Sequence, residues 1–167
     1  MNATAPQLVP GAKASTPARP GSSDREYQEL WFALARREWN SLVLVPADEG
    51  ASAAGIATTL AEAGRRLRNV PVSFFVVVDS LDSSSAAKIA ARLGRAARGA
   101  EPRTVAPGGH LLVAIQPVVE EPLGIAVAQA ADAVVLCIEI GRTRLSAARR
   151  TIELIGRDRI TAALVIS

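Results

Sequence analysis

Leu42-Val43-Leu44-Val45 runs directly into Pro46-Ala47-Asp48-Glu49-Gly50-Ala51-Ser52, and a run of good helix formers follows from Ile56 to Leu67. An apolar strand, a tight loop and a helix form the layout of a phosphate-binding loop. In a working loop of that kind, glycines let backbone N–H groups close on the phosphates, and a lysine just before Ser/Thr reaches the outer phosphoryl oxygens. Here Ala51 stands where the lysine would be. Asp48 and Glu49 place negative charge where an anion would sit. The layout predicts a nucleotide-binding type of fold whose phosphate chemistry is disabled.

The same alternation extends outward. Continuous apolar runs at Leu42–Val45, Val72–Val78, Leu111–Ile115, Ala133–Ile140 and Ala162–Ile166 read as strands. Helical patterns lie between them at Ser52–Arg68, Ser85–Arg98, Pro122–Ala130 and Arg144–Gly156, with Leu145, Ala148, Ile152 and Ile155 as the apolar stripe of the last. Runs that do not alternate predict strands buried on both faces. Strand–helix repetition predicts a three-layer α/β domain over 24–167: a mostly parallel sheet of about five strands, helices on both faces and right-handed crossovers. Ahead of the sheet, Tyr27, Leu30, Trp31, Leu34 and Ala35 recur at helical spacing, so a first helix is expected from Asp24 to about Asn40. Residues 1–23, with Pro6, Pro10, Pro17 and Pro20, are expected to form a disordered leader, and 99–109 a longer loop.

Composition narrows the function classes. The chain has 167 residues, 49% of them hydrophobic, which is enough for one packed core. The lone cysteine, Cys137, permits no internal disulfide and reads as a small buried hydrophobe. No apolar stretch approaches the roughly 20 residues that span a bilayer. The expectation is a cytoplasmic protein that reaches the inner face of a membrane only through a partner. The net charge of +3 comes from arginines spread over several helices, with no aromatic interleaving, which argues against a nucleic-acid surface. His110 has no second histidine or nearby cysteine with which to hold a metal. Glu120-Glu121 reads as a pair of helix-start acids.

In a parallel sheet, ligands gather beyond the C-terminal strand ends. Those ends are the 46–52 loop, Asp79, Gln116-Pro117 and Gly141-Arg142-Thr143-Arg144. With these residues the chain resembles the MinD/ParA-type P-loop ATPases. Among them it is most similar to the bacterial tyrosine kinases and related regulators of exopolysaccharide chain length and export, from about Asp24 to Ser167. The stretch Ala131–Arg144, ending Gly141-Arg142-Thr143-Arg144, carries the similarity most specifically. Set against that family's motifs, Asp48 replaces a loop glycine, Ala51 the lysine and Ala53 the threonine, while Gly50 and Ser52 persist. Asp79 matches the first aspartate of the second acidic motif, Leu81 stands at the second, and Ile115 stands at the magnesium-supporting aspartate. The oligomerisation helix keeps Glu26 but lacks both arginines.

The resemblance therefore implies a degenerate pseudo-ATPase or pseudokinase with no catalytic residues, metal or cofactor. Asp48, Glu49, Gly50, Ala51, Ser52 and Asp79 would be a vestigial site, with Ser52 the cap of its helix and Asp79 a loop or cap aspartate. Its role would be regulatory or scaffolding. The partner would be a protein, a membrane polysaccharide co-polymerase or an active kinase, or a second copy of the chain. Trp31, Phe32 and Trp39 exceed what one buried stripe needs; with Arg142 and Arg144 they are candidate partner contacts, the alternative being that the aromatics pack over the sheet edge. Two rival readings remain. One is a noncanonical ATPase or tyrosine kinase that binds ATP with magnesium and recruits a cation such as Lys88. The other is a ParA-like module using its arginines on nucleic acid.

Overall fold

The computed structural model describes residues 23–98 and 109–167. The expected leader and the 99–109 loop fall outside these residues, except for Ser23, which opens the first helix, and Gly109. In chain order the elements are α1 (Ser23–Leu34), β1 (Ser41–Pro46), α2 (Ala54–Arg68), β2 (Val72–Val76), α3 (Ser83–Ala97), β3 (His110–Ala114), α4 (Gly124–Ala130), β4 (Ala133–Glu139), α5 (Leu145–Ile155) and β5 (Ile160–Ile166). A short 3₁₀ turn, Arg157–Arg159, leads into β5. The five strands form one all-parallel sheet in the order β2-β3-β1-β4-β5. This is a three-layer, P-loop-like α/β fold.

Strand parity builds two cores. Leu42 and Leu44 of β1, Leu112 of β3 and Val135 of β4 face α1 and α2. Val43, Val45, Leu111, Val113 and Val134 face α3, α4 and α5. The three central strands are buried along nearly their whole length, as non-alternating runs require. The expectation of burial on both faces fails for β2 and β5, because these are the sheet's edges and most of their residues are only partly covered. In the α5 stripe, Ala148 and Ile155 are buried but Leu145 is exposed, since it sits in the first turn beyond the sheet edge.

The first helix is shorter than its pattern suggests. Its end tightens as the N–H groups of Arg36 and Arg37 turn back onto the carbonyls of Ala33 and Leu34. The chain then reverses, so that Trp39 packs against Trp31 at 5.4 Å and His110 at 4.1 Å between centroids. Asn69 stops α2 with φ +50°, its N–H returning to the carbonyl of Arg65. Asp82 starts α3 by accepting the Ser85 N–H at 2.6 Å.

One carboxylate aligns two of the central strands, β1 and β4, at their entrance. Asp132, just before β4, accepts the N–H groups of Asn40 and Ser41 at 2.8 and 3.0 Å and the Ser41 hydroxyl at 3.3 Å. The Asp132 N–H donates back to Ser41 Oγ at 3.0 Å. Strand β1 is thereby held beside β4 in the register Leu42–Ala133 through Pro46–Cys137, which sets the loops leaving their far ends side by side.

Candidate functional site

The connection out of β1 runs to β2 by way of α2, on one face. Those out of β3 and β4 run by way of α4 and α5 on the other. The strand ends flanking β1 are thus the switch points where such sheets hold ligands. Each carries a cavity. One of about 270 Å³ lies between the ends of β1, β2 and β3, lined by Gly50, Ser52, Val78, Gln116 and Glu120. The other, of about 300 Å³, lies between β1 and β4, lined by Asp48, Glu49, Glu139, Arg142 and Arg144.

The loop between β1 and α2 is held by this chain's own groups. Gly50 adopts φ +67°, which glycine accommodates without strain. Its N–H donates to Glu120 Oε2 at 3.1 Å. The Ala47 N–H donates to the Cys137 carbonyl, and that of Ala51 to the Asp48 carbonyl. The Glu49 N–H donates to Asp48 Oδ1 at 2.8 Å. A carboxylate thus lies against the amide of the loop's glycine, in the cavity where an anion would approach. Ser52 precedes the helix rather than capping it. The cap position is Ala53, without a side-chain bond, while the Ser52 hydroxyl accepts the Ala54 N–H at 3.3 Å.

Asp48 is the anchor of the second cavity. It is buried, and its carboxylate accepts the Arg144 backbone N–H at 2.8 Å and the Arg144 guanidinium at 2.8 Å through its terminal nitrogen. The same guanidinium reaches Glu49 at 3.2 Å. The Arg144 hydrogen bonds hold the Asp48 carboxyl well below the usual carboxylate range, and Asp48, then Glu49, push the Arg144 guanidinium above its already high value. A depressed carboxyl contributes stability that is complete above its unfolded pKa of about 3.9 and is lost as pH falls through the folded value. The wild type should therefore lose thermal stability between about pH 4 and 2 more steeply than Asp48→Asn. At neutral pH the variant should melt several degrees lower. Melting curves at stepped pH check this, and parallel slopes for the two proteins would refute it.

The other expected site residues separate. Asp79 is exposed on the loop after β2. Arg142 is exposed and pairs with Glu139 at 3.2 Å. Ile115, at the position of a metal-supporting aspartate, is buried in the core beneath α4. Trp31 and Trp39, expected among the candidate partner contacts or packed over the sheet edge, are 2% and 6% exposed, and their rings pack together with His110 beneath the turn after α1. Phe32 alone of the three aromatics is exposed, at 54%. Burial beside the tryptophans lowers the His110 pKa and favours neutral imidazole. Burial pushes the Cys137 thiol up to about 12, and Cys137 is an inert core residue.

Sequence reasoning missed the parts played by Glu120 and Glu121. Both precede α4, and they reach across the C-terminal edge: Glu120 to Gly50, and Glu121 to the Leu81 N–H at 3.1 Å. Gln116 joins them by donating to the Val78 carbonyl at 2.9 Å. The only signal was two adjacent acids after a strand end, which does not say which amides they meet. Among the described residues no cluster of His, Cys, Asp and Glu could hold a metal ion, and no helix is long and apolar enough to cross a membrane. No protein-family model matches the chain, and no curated protein matches it significantly.

Proposed function

We propose that the chain is a catalytically inactive P-loop-like domain, a pseudo-ATPase or pseudokinase, that acts by binding another protein. Its resemblance to the exopolysaccharide tyrosine kinases suggests a regulatory or scaffold role in bacterial polysaccharide synthesis or export. The partner would be a membrane polysaccharide co-polymerase or an active kinase, met in the cytoplasm at the inner face of the membrane.

The observation that carries this reading is the loop filled from within. Phosphoryl transfer depends on free amides, a lysine and metal-bound carboxylates arranged around the phosphates. In this chain the Gly50 amide holds Glu120, Asp48 holds Arg144, the lysine position is Ala51 and the metal-supporting position is the buried Ile115. An incoming phosphate would have to displace one carboxylate and approach two more, Asp48 and Glu49. The cations that line the neighbouring cavity are already held by acids, Arg144 by Asp48 and Glu49 and Arg142 by Glu139.

Titration calorimetry with ATP and with ADP, each with magnesium, tests the reading. The expected result is no saturable heat and no thermal shift, which corresponds to a Kd weaker than about 1 mM, or less than about 4 kcal/mol of binding free energy. Magnesium-dependent saturation in the micromolar range would sink it in favour of a noncanonical ATPase.

A further inference from the structure

The two edges of the sheet are treated differently. At β2 the Val72 carbonyl points away from β3, because the Pro71 carbonyl accepts the His110 N–H and backbone groups alternate along a strand. The Arg65 guanidinium covers that outward carbonyl, its Nε lying 3.1 Å away. Arg92 stacks over Phe75 on the same strand at 5.0 Å. Charged side chains on an edge are the usual protection against pairing with another chain.

The β5 edge lacks that protection. Its sequence, Ile160-Thr161-Ala162-Ala163-Leu164-Val165-Ile166, contains no charge and no proline. A bulge at Thr161 shifts its pairing with β4 from Val134–Ile160 to Val135–Ala162, leaving 162–166 regular. The Ile166 carbonyl accepts the Ile140 N–H, so Ala162, Leu164 and Ile166 turn their backbone groups toward β4. Ala163 and Val165 therefore turn theirs outward, where no described strand pairs with them. On the α1 side, β5 is covered through Ala162, Leu164 and Ile166. On the other side Val165 is 44% exposed, and nearby Ile140 is 64% exposed.

We propose that β5 pairs antiparallel with β5 of a second copy of this chain, about a two-fold axis at Leu164, to give one continuous ten-stranded sheet. The outward groups choose this register. Ala163 exchanges both backbone bonds with Val165 of the second copy, and Val165 does the same with its Ala163. The side chains fit themselves: Ala163 lies beside Val165, Ala162 beside Ile166, and Leu164 beside its own mate, so a small residue meets a large one on either side of the axis. No charge on the strand opposes another, and a two-fold axis closes the assembly at two copies. This edge is separated from β1 and its loop by β4, and the inference stands whether or not that loop binds nucleotide.

Sedimentation of the 167-residue chain over a wide dilution series, with amide hydrogen exchange, tests it. The wild type should run as a concentration-dependent dimer whose Ala163 and Val165 amides are protected and lose protection on dilution. Val165→Lys should weaken the dimer about tenfold or more while the monomer stays folded. If circular dichroism finds that variant unfolded, Ala163→Pro, which deletes one outward N–H and no bond to β4, replaces it. A monomer at every concentration would overturn the proposal. So would a dimer that both variants leave intact, or one in which the Ala163 and Val165 amides exchange freely.

Discussion

Replacing Trp31 by alanine should cost about 3–5 kcal/mol, the usual range for emptying a buried tryptophan site. Against a domain stability of roughly 5–15 kcal/mol, that is a large fraction of the total. The side chain is 2% exposed and lies edge-on to Trp39 and His110. It also rests on Gly64 of α2: a Cβ built there would stand 2.3 Å from the Trp31 ring. Gly64 is a contact surface for the indole, and the residue must be glycine for α1 to lie so close to α2. Two opposite outcomes follow for one substitution. In the wild-type background Gly64→Ala should destabilise, because overpacking costs typically 1–3 kcal/mol and exceeds the helix-propensity gain of about 1 kcal/mol. In the Trp31→Ala background the same change should stabilise, since the ring is gone and the propensity gain remains. Denaturant unfolding followed by far-ultraviolet circular dichroism reads all four proteins. A stabilising Gly64→Ala in both backgrounds would show that the ring can move aside, and a destabilising one in both would show that the indole is not what excludes the methyl group.

The second large effect is expected at the strand entrance. Asp132→Ala removes the acceptor shared by the Asn40 and Ser41 amides and the Ser41 hydroxyl. Ser41 is fully buried, so water cannot replace the lost partner there, whereas Asn40 is partly open. An orphaned buried donor costs about 1–3 kcal/mol, and with the Asn40 contribution the variant should lose about 2–3 kcal/mol. Asp132→Asn keeps one acceptor oxygen and should lose less than half of that. Equal losses for alanine and asparagine, or a loss below about 0.5 kcal/mol for alanine, would show that this clip does not hold the strands.

The sheet was legible in the sequence because its central strands are continuous apolar runs, and burial on both faces is what such a run demands. Residues 42–45, 111–115 and 133–140 carry that signal unmistakably. The same signal misleads at β2 and β5, which are equally apolar but form edges, because local hydrophobicity says nothing about strand order. The first helix was overextended for a related reason. Arg36-Arg37-Glu38 are acceptable helix residues, and the chain leaves the helix there because Trp39 has a better place against Trp31 and His110. The candidate site was legible as substitutions, in Ala51 and Ile115, but not as an arrangement. Asp48 meets Arg144 across 96 positions, Glu120 meets Gly50 across 70, and Asp132 meets Ser41 across 91. Pairings of that span are set by topology, and the two acids at 120–121 carry no local mark of the amides they reach.

The strand order also constrains how the chain assembles while it is being made. β1 and β2, the first two strands synthesised, are not neighbours; β3 lies between them. No ladder of the sheet can close until residues 110–114 have emerged, and β1 stays open along its other side until 133–137 arrive. The apolar segment 42–45 thus leaves the ribosome long before either of its permanent neighbours, with the α1, α2 and α3 segments available to shelter it before then. Early pairing with a wrong strand is the hazard of such an order, and closing long loops before any ladder forms is slow. The order favours a nascent chain in which α1 and α2 gather first around β1, with the sheet zipping outward from that strand in a late, concerted step.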